Sequence, residues 1–173
     1  MFEKSRMVLN MKHLITYFVS YAHKDETLPE KLLTFLRPHL ALSPKYVFAE
    51  WMDKKVIRVG EEWHEKVQDA LEFCDIALLL ISPNFFSGTY IQEHELPVFL
   101  NYPKPIIPVM LRSVNPSTQD LKGIEKRQIF TCPNSGNPFS KCSTTPQKDN
   151  FAYQLSVAIE SRLNTLNLTP SQK

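Results

Sequence analysis

Apolar residues along the chain switch repeatedly between short unbroken runs and stripes spaced three to four apart, the signature of strands alternating with helices. Residues 14–20 are rich in β-branched and aromatic side chains and end in the polar cluster 20–25, which predicts a buried strand opening into a functional loop. Thr27 and Glu30 have capping-box spacing, and Leu28, Leu32, Phe35, Leu36 and Leu40 fall on one helical face, so a helix follows, disturbed near Pro38. Residues 46–51 predict a second strand, running into a loop of mixed charge over 52–60 with one glycine, Gly60, able to adopt positive φ. Trp63, Val67, Ala70, Leu71 and Cys74 then form a single buried stripe, while Glu62, Glu65, Lys66 and Asp69 take the wet face of the same helix.

Residues 75–82 are almost wholly apolar, as a central parallel strand covered on both faces must be. A break over 83–89 leads into a helix over 90–101, where Pro97 forbids the backbone bond to Glu93 and so bends or restarts the helix. Residues 104–111 predict a fourth strand. The stretch 113–143, rich in Pro, Ser, Asn and Gly, holds a short edge strand at 127–131, and Phe151, Leu155, Ala158, Ile159 and Leu163 predict a closing amphipathic helix. Residues 1–12 read as a flexible N-terminal extension and 165–173 as a flexible tail, leaving 13–164 as one domain. Strands and helices in this alternation imply a flavodoxin-like, doubly wound parallel sheet of about five strands with helices on both faces and right-handed crossovers. Ligands of such sheets sit beyond the carboxyl ends of the strands at the switch in strand order, which singles out the loops after Ser20, Trp51 and Ser82.

Composition narrows the function classes. A chain of 173 residues fits one domain, and 43% hydrophobic with 22% charged residues is ordinary globular usage. The formal net charge of +2 supplies no broad basic surface, so nucleic acid is not an expected partner. The longest apolar runs, 76–81 and 106–111, fall far short of the roughly 20 residues that span a bilayer, and residues 1–12 do not form a secretory signal. Three cysteines, Cys74, Cys132 and Cys142, cannot all pair, which favours a reduced, cytoplasmic setting. Cys132 and Cys142 lack the second ligand pair that a zinc site needs, and Val98 stands where a helical zinc motif starting at His94-Glu95 needs its second histidine. Ser20, His23 and Asp25 crowd one short loop and do not make a catalytic triad.

Three segments after three successive strands carry a family resemblance. Phe18-Val19-Ser20-Tyr21-Ala22-His23-Lys24-Asp25 resembles the first box of a bacterial Toll/interleukin receptor (TIR) domain, Ile57-Arg58-Val59-Gly60 resembles its BB loop, and Leu79-Leu80-Ile81-Ser82-Pro83 resembles the central strand entering the catalytic helix. The resemblance spans residues 13–163. It implies cleavage of NAD+ at the bond between nicotinamide and ribose by one glutamate on the helix after the third strand, a position that Glu95 matches within Tyr90-Ile91-Gln92-Glu93-His94-Glu95-Leu96. Several NAD-cleaving relatives carry an aromatic residue four positions before that glutamate, where this chain has Ile91 with Tyr90 beside it. Glu93, the nearest rival, points about 200° away on a helix.

The chemistry asks for a single carboxylate. Nicotinamide departs neutral from a cationic ring, leaving an oxocarbenium-like ribose that a fixed negative charge stabilises, so neither a metal, a cofactor nor a second acid is required. The resemblance places Ser20, Tyr21, Lys24, Asp25, Arg58, Ser87, Tyr90 and Ile91 around the NAD+ substrate. Tyr21 is placed to stack on a ring of the dinucleotide or to pack in the core, Arg58 to meet phosphate or a neighbouring subunit, and Ser87 to bond a ribose or cap the helix around Tyr90. Self-association through the BB loop, residues 54–60 from Lys54 to Gly60, is the implied activating step, with the trigger coming from a separate sensor, a ligand or the chain's own concentration. The expected product is ADP-ribose or a cyclised relative, in a bacterial defence or signalling role. A non-catalytic adaptor binding other TIR domains is the rival reading, and a nucleoside-processing enzyme a third. Ser82, where an acceptor aspartate would be needed, argues against a phosphoacceptor receiver.

Overall fold

β1 (His13–Tyr21), β2 (Tyr46–Glu50), β3 (Ile76–Ile81) and β4 (Ile106–Met110) form one parallel sheet in the order β2-β1-β3-β4. The computed structural model describes residues 12–25, 27–51, 72–87, 96–101 and 103–166. Within them the helices are α1 (Thr27–Ala41), α2 (Pro83–Ser87), α3 (Leu96–Asn101) and α4 (Thr145–Thr165). The stripe expected over 63–71 lies outside the described residues.

β3 occupies the interior of the sheet, between β1 and β4, and all six of its residues are buried. Its alternating side chains enter two separate apolar layers. Ile76, Leu78 and Leu80 join Leu32, Leu36, Phe151 and Leu155 of α1 and α4, while Ala77, Leu79 and Ile81 join Phe85, Leu96 and Phe99 of α2 and α3. Each large aliphatic side chain so enclosed stabilises the fold by about 1.5–3 kcal/mol, which is why an unbroken apolar run suits a strand covered on both faces.

α1 runs without interruption through Pro38, although its sequence predicts a disturbance there. Pro38 is exposed and stands in the last turn, so the missing N–H costs one bond near an end that Leu36 and Leu40 already hold in the core. α4 begins well before the apolar stripe that announces it. Thr144 accepts from the Gln147 backbone N–H at 3.3 Å and Gln147 Oε1 accepts from the Thr144 N–H at 3.1 Å, a reciprocal capping box, with Pro146 in the first turn.

The edge strand expected over 127–131 shrinks to a single parallel bridge between Val109 and Phe130, so the described sheet has four strands rather than five. Phe130 donates to Pro108 O at 2.7 Å and accepts from the Met110 N–H at 2.8 Å. Pairing stops in both directions for chemical reasons. Pro108 has no N–H to offer the next carbonyl on that edge, and the Cys132 N–H is already turned to Asn137 O at 2.9 Å.

Cys74, Cys132 and Cys142 are all reduced, none of them in a disulfide. Burial lifts the Cys74 thiol from its ordinary 9.0 up to about 12, only partly offset by the Lys104 charge. An alkylating reagent at pH 8 is therefore expected to modify half-buried Cys132 while sparing Cys74, as peptide mass spectrometry would read. Because the folded value is the higher one, this contribution to stability is complete below about pH 9 and is lost as pH climbs toward 12, where the unfolded chain releases its proton first. Equal labelling of both cysteines in the native protein would contradict the enclosure of Cys74.

Candidate functional site

The chain crosses from one side of β1 to the other between β2 and β3, so the switch in strand order falls between β1 and β3. Two loops leave the sheet there. The first turns immediately after β1 into a short 3-10 turn, His23–Asp25, closed by the Asp25 N–H to Ala22 O at 2.9 Å. The second passes from β3 through Ser82 into α2, whose first residue is Pro83; the Ser82 hydroxyl accepts the Phe85 N–H at 3.1 Å and so caps the helix.

Asp25 joins these loops. Its carboxylate is fully enclosed, and both oxygens are occupied: Oδ2 accepts from the Ser82 hydroxyl, and Oδ1 accepts from Asn84 Nδ2 at 2.8 Å and from Arg112 Nε at 2.8 Å. Arg112 arrives from the end of β4, where its backbone N–H and that of Leu111 both reach Ile81 O, at 3.1 and 2.9 Å. A buried carboxylate is tolerated only when a cation and hydrogen-bond donors replace the water it has lost. Here the replacements come from the carboxyl ends of β3 and β4, so one side chain fixes three strand ends relative to one another.

A second charged cluster lies at the end of β2. Arg37 grips Glu50 with two nitrogens, Nε at 2.9 Å and Nη2 at 3.3 Å, and the Tyr17 phenol donates to the same carboxylate at 3.0 Å. Burial, reinforced by the Glu50 charge, pushes the Tyr17 phenol above its ordinary value, and the hydrogen bonds that Arg37 donates to Glu50 raise the guanidinium above its own. This cluster ties α1 to the sheet.

The residues named from sequence divide by position. Ser20 is buried near the end of β1, in register with Leu79, and Tyr21 is half-buried against the α1 and α4 layer, in register with Leu80. Lys24 is exposed on the turn that carries Asp25. Asp25 faces inward, its oxygens committed to protein donors. Ser87 is exposed and donates to Asn84 O at 3.1 Å within α2. Arg58, Tyr90, Ile91, Glu95 and the whole of 54–60 lie outside the described residues. Glu95 nevertheless directly precedes Leu96, which is buried in the same layer as Ile81 and Phe85.

Sequence reasoning overlooked Asn84 and Arg112. The sequence reads 83–89 as a break, where the structure has α2 capped by the Ser82 hydroxyl, and nothing local links Arg112 to Asp25, 87 positions earlier. Two clefts open elsewhere, one of about 540 Å³ between α1 and α4 beside His39, Tyr153 and Glu160, and one of about 570 Å³ near the start of β4 beside Arg127 and Arg162. Neither is lined by a residue of the Asp25 cluster, and the switch in strand order, not cleft size, makes the strand ends the candidate site.

The sequence pattern of the TIR domain family matches residues 18–139, a span that includes Asp25, Ser82, Asn84 and Arg112. A protein of Sinorhizobium fredii described as uncharacterized protein y4lF is 26% identical over 158 residues, covering 89% of this chain and 45% of its own length. The chain thus spans under half of that curated relative. Among solved structures, the TIR domains of the activated Roq1 resistosome directly recognizing the pathogen effector XopQ align at a TM-score of 0.44 and 16% identity, over 83% of this chain and 84% of that one.

Proposed function

The chain belongs to the TIR domain family, matched over residues 18–139 of its 173, and from that premise we propose that it is an NAD+ glycohydrolase that breaks the nicotinamide-ribose bond. The observation that carries the reading is the convergence of the first-box loop and the loop after β3 on the buried Asp25 carboxylate, at the switch point where doubly wound sheets bind their ligands. A mouth so anchored needs one further group, a carboxylate to face the ribose, and Glu95 supplies it from the segment that leads into α3. NAD+ is the substrate, and no other cofactor enters the reaction. As nicotinamide leaves neutral, negative charge from Glu95 stabilises the oxocarbenium-like sugar, and water or the adenine ring then captures the anomeric carbon to give ADP-ribose or a cyclic relative.

Ser20, Tyr21, Lys24, Arg58, Ser87, Tyr90 and Ile91 form the surrounding contacts in this reading, with Asp25 holding the loop that presents them. Self-association through residues 54–60 completes the site, so activity rises steeply with protein concentration. Bacterial defence or signalling is the setting that fits, with the cytoplasm as the compartment that holds NAD+. The rival is an adaptor that binds other TIR domains by the same loop surface.

Purified protein at high concentration with a crowding agent, followed by chromatography of NAD+ and nicotinamide, separates the two. Stoichiometric nicotinamide release is expected. NAD+ left intact across the whole concentration range would favour the adaptor, and cleavage of free nucleosides instead of NAD+ would favour a nucleoside-processing enzyme.

A further inference from the structure

Arg112 is held in an unusual way for a buried-carboxylate partner. Arg37 uses Nε and Nη2 together against Glu50, but Arg112 meets Asp25 through Nε alone. Its Nη1 and Nη2 find no hydrogen-bond acceptor among the described residues, and its side chain remains 45% exposed although Asp25 beneath it is at 0%. A guanidinium anchored by Nε keeps its outer edge, two parallel N–H donors, pointing away from the anchor, and that edge matches two oxygens of a phosphate.

Three constraints fix the position of this edge. The Arg112 backbone N–H is bonded to Ile81 O at the carboxyl end of β3, its Nε shares Oδ1 with Asn84, and Asp25 itself is bonded to the Ser82 hydroxyl. A side chain so braced loses little rotamer freedom when it takes a ligand, unlike a free surface arginine. Asp25 neutralises Arg112 at long range, so selectivity comes from close two-pronged bonding rather than from a diffuse field. Lys24, exposed on the same turn as Asp25, adds a second cation to this end of the sheet.

We infer that Arg112 binds the diphosphate of a nucleotide at the switch point, with Asp25 as the positioning residue that aims it. This rests on the nucleotide reading of the site above and deepens it by naming the group that recognises the phosphates. Calorimetric titration of the full chain with ADP, adenosine and inorganic pyrophosphate tests it without requiring catalysis. ADP is expected to bind about tenfold more tightly than adenosine, and Arg112→Gln is expected to erase that advantage while leaving adenosine binding unchanged. Arg112→Lys keeps a charge beside Asp25 and guards against misfolding; one ammonium does not both hold Asp25 and present a two-pronged edge, so the ADP advantage falls by at least half there as well.

Pyrophosphate that displaces ADP only at much higher concentration identifies a nucleotide pocket. Displacement at equal concentration identifies a site for the free diphosphate ion, which supports phosphate recognition by Arg112 and overturns its nucleotide part. Three results would overturn the inference: a wild type with no preference for ADP, an ADP advantage undiminished in both variants, or equal weakening of ADP and adenosine, which would mark Arg112 as purely structural. ADP binding that depends on Arg112 in a protein that leaves NAD+ intact would keep this inference and remove the hydrolase reading. NAD+ cleavage with a KM indifferent to Arg112 would do the reverse.

Discussion

Glu95→Gln is expected to cut NAD+ cleavage by about a hundredfold to a thousandfold at saturating substrate, with little change in thermal stability. Glutamine preserves the size of the side chain and one acceptor oxygen but removes the charge, so ground-state contacts to ribose hydroxyls survive while stabilisation of the cationic sugar is lost. The loss therefore falls on kcat and much less on KM. Nicotinamide release measured at matched protein concentration, with a circular dichroism melt of each variant, checks both halves. Cleavage that continues at the parental rate would assign the chemistry to another residue even if the enzyme reading stands. Glu93→Gln serves as the companion, expected to leave kcat within about twofold because the helix that the sequence predicts over 90–101 sets the two side chains about 200° apart.

Asp25→Ala should be among the most destabilising single substitutions in the chain, at about 3–5 kcal/mol, since it strands a guanidinium, an amide and a hydroxyl that were satisfied by one buried carboxylate. Asp25→Asn should be milder, because an amide keeps the shape and one acceptor but not the charge that pairs with Arg112. Urea unfolding monitored by tryptophan fluorescence and circular dichroism gives both values. The order wild type, Asn, Ala in midpoint is the expected result, and an Ala variant within about 0.5 kcal/mol of the wild type would show that the three strand ends do not depend on this carboxylate. Since the same group sets the spacing of the loops after β1 and β3, activity should fall in both variants even at temperatures where they remain folded.

Particular residues show why some of this was legible in the sequence. Six consecutive buried residues in β3 announce a strand covered on both faces, because no amphipathic surface element tolerates such a run. The start of α4 was also written locally, in Thr144, Pro146 and Gln147, but an apolar stripe that begins at Phe151 pulls attention past it. The missing fifth strand was harder to see. Whether 127–131 extends a ladder depends on which edge of β4 the Pro108 nitrogen faces, and on Asn137 taking the Cys132 N–H. Both are facts about packing, not composition.

Periodicity and short-range chemistry by themselves determined the order of β1 to β4 with α1 and α4, the interior place of β3, the parallel doubly wound plan and the family motifs. These depend on neighbours within a few positions, and a linear text records such neighbours directly. The enclosure of Asp25 and its joint hold on Ser82, Asn84 and Arg112 were decided only by the tertiary structure, which brings together groups 57 to 87 positions apart. An aspartate in a polar loop reads the same whether it faces water or a guanidinium. Only the closing of the sheet removes the water and gives that difference its energy.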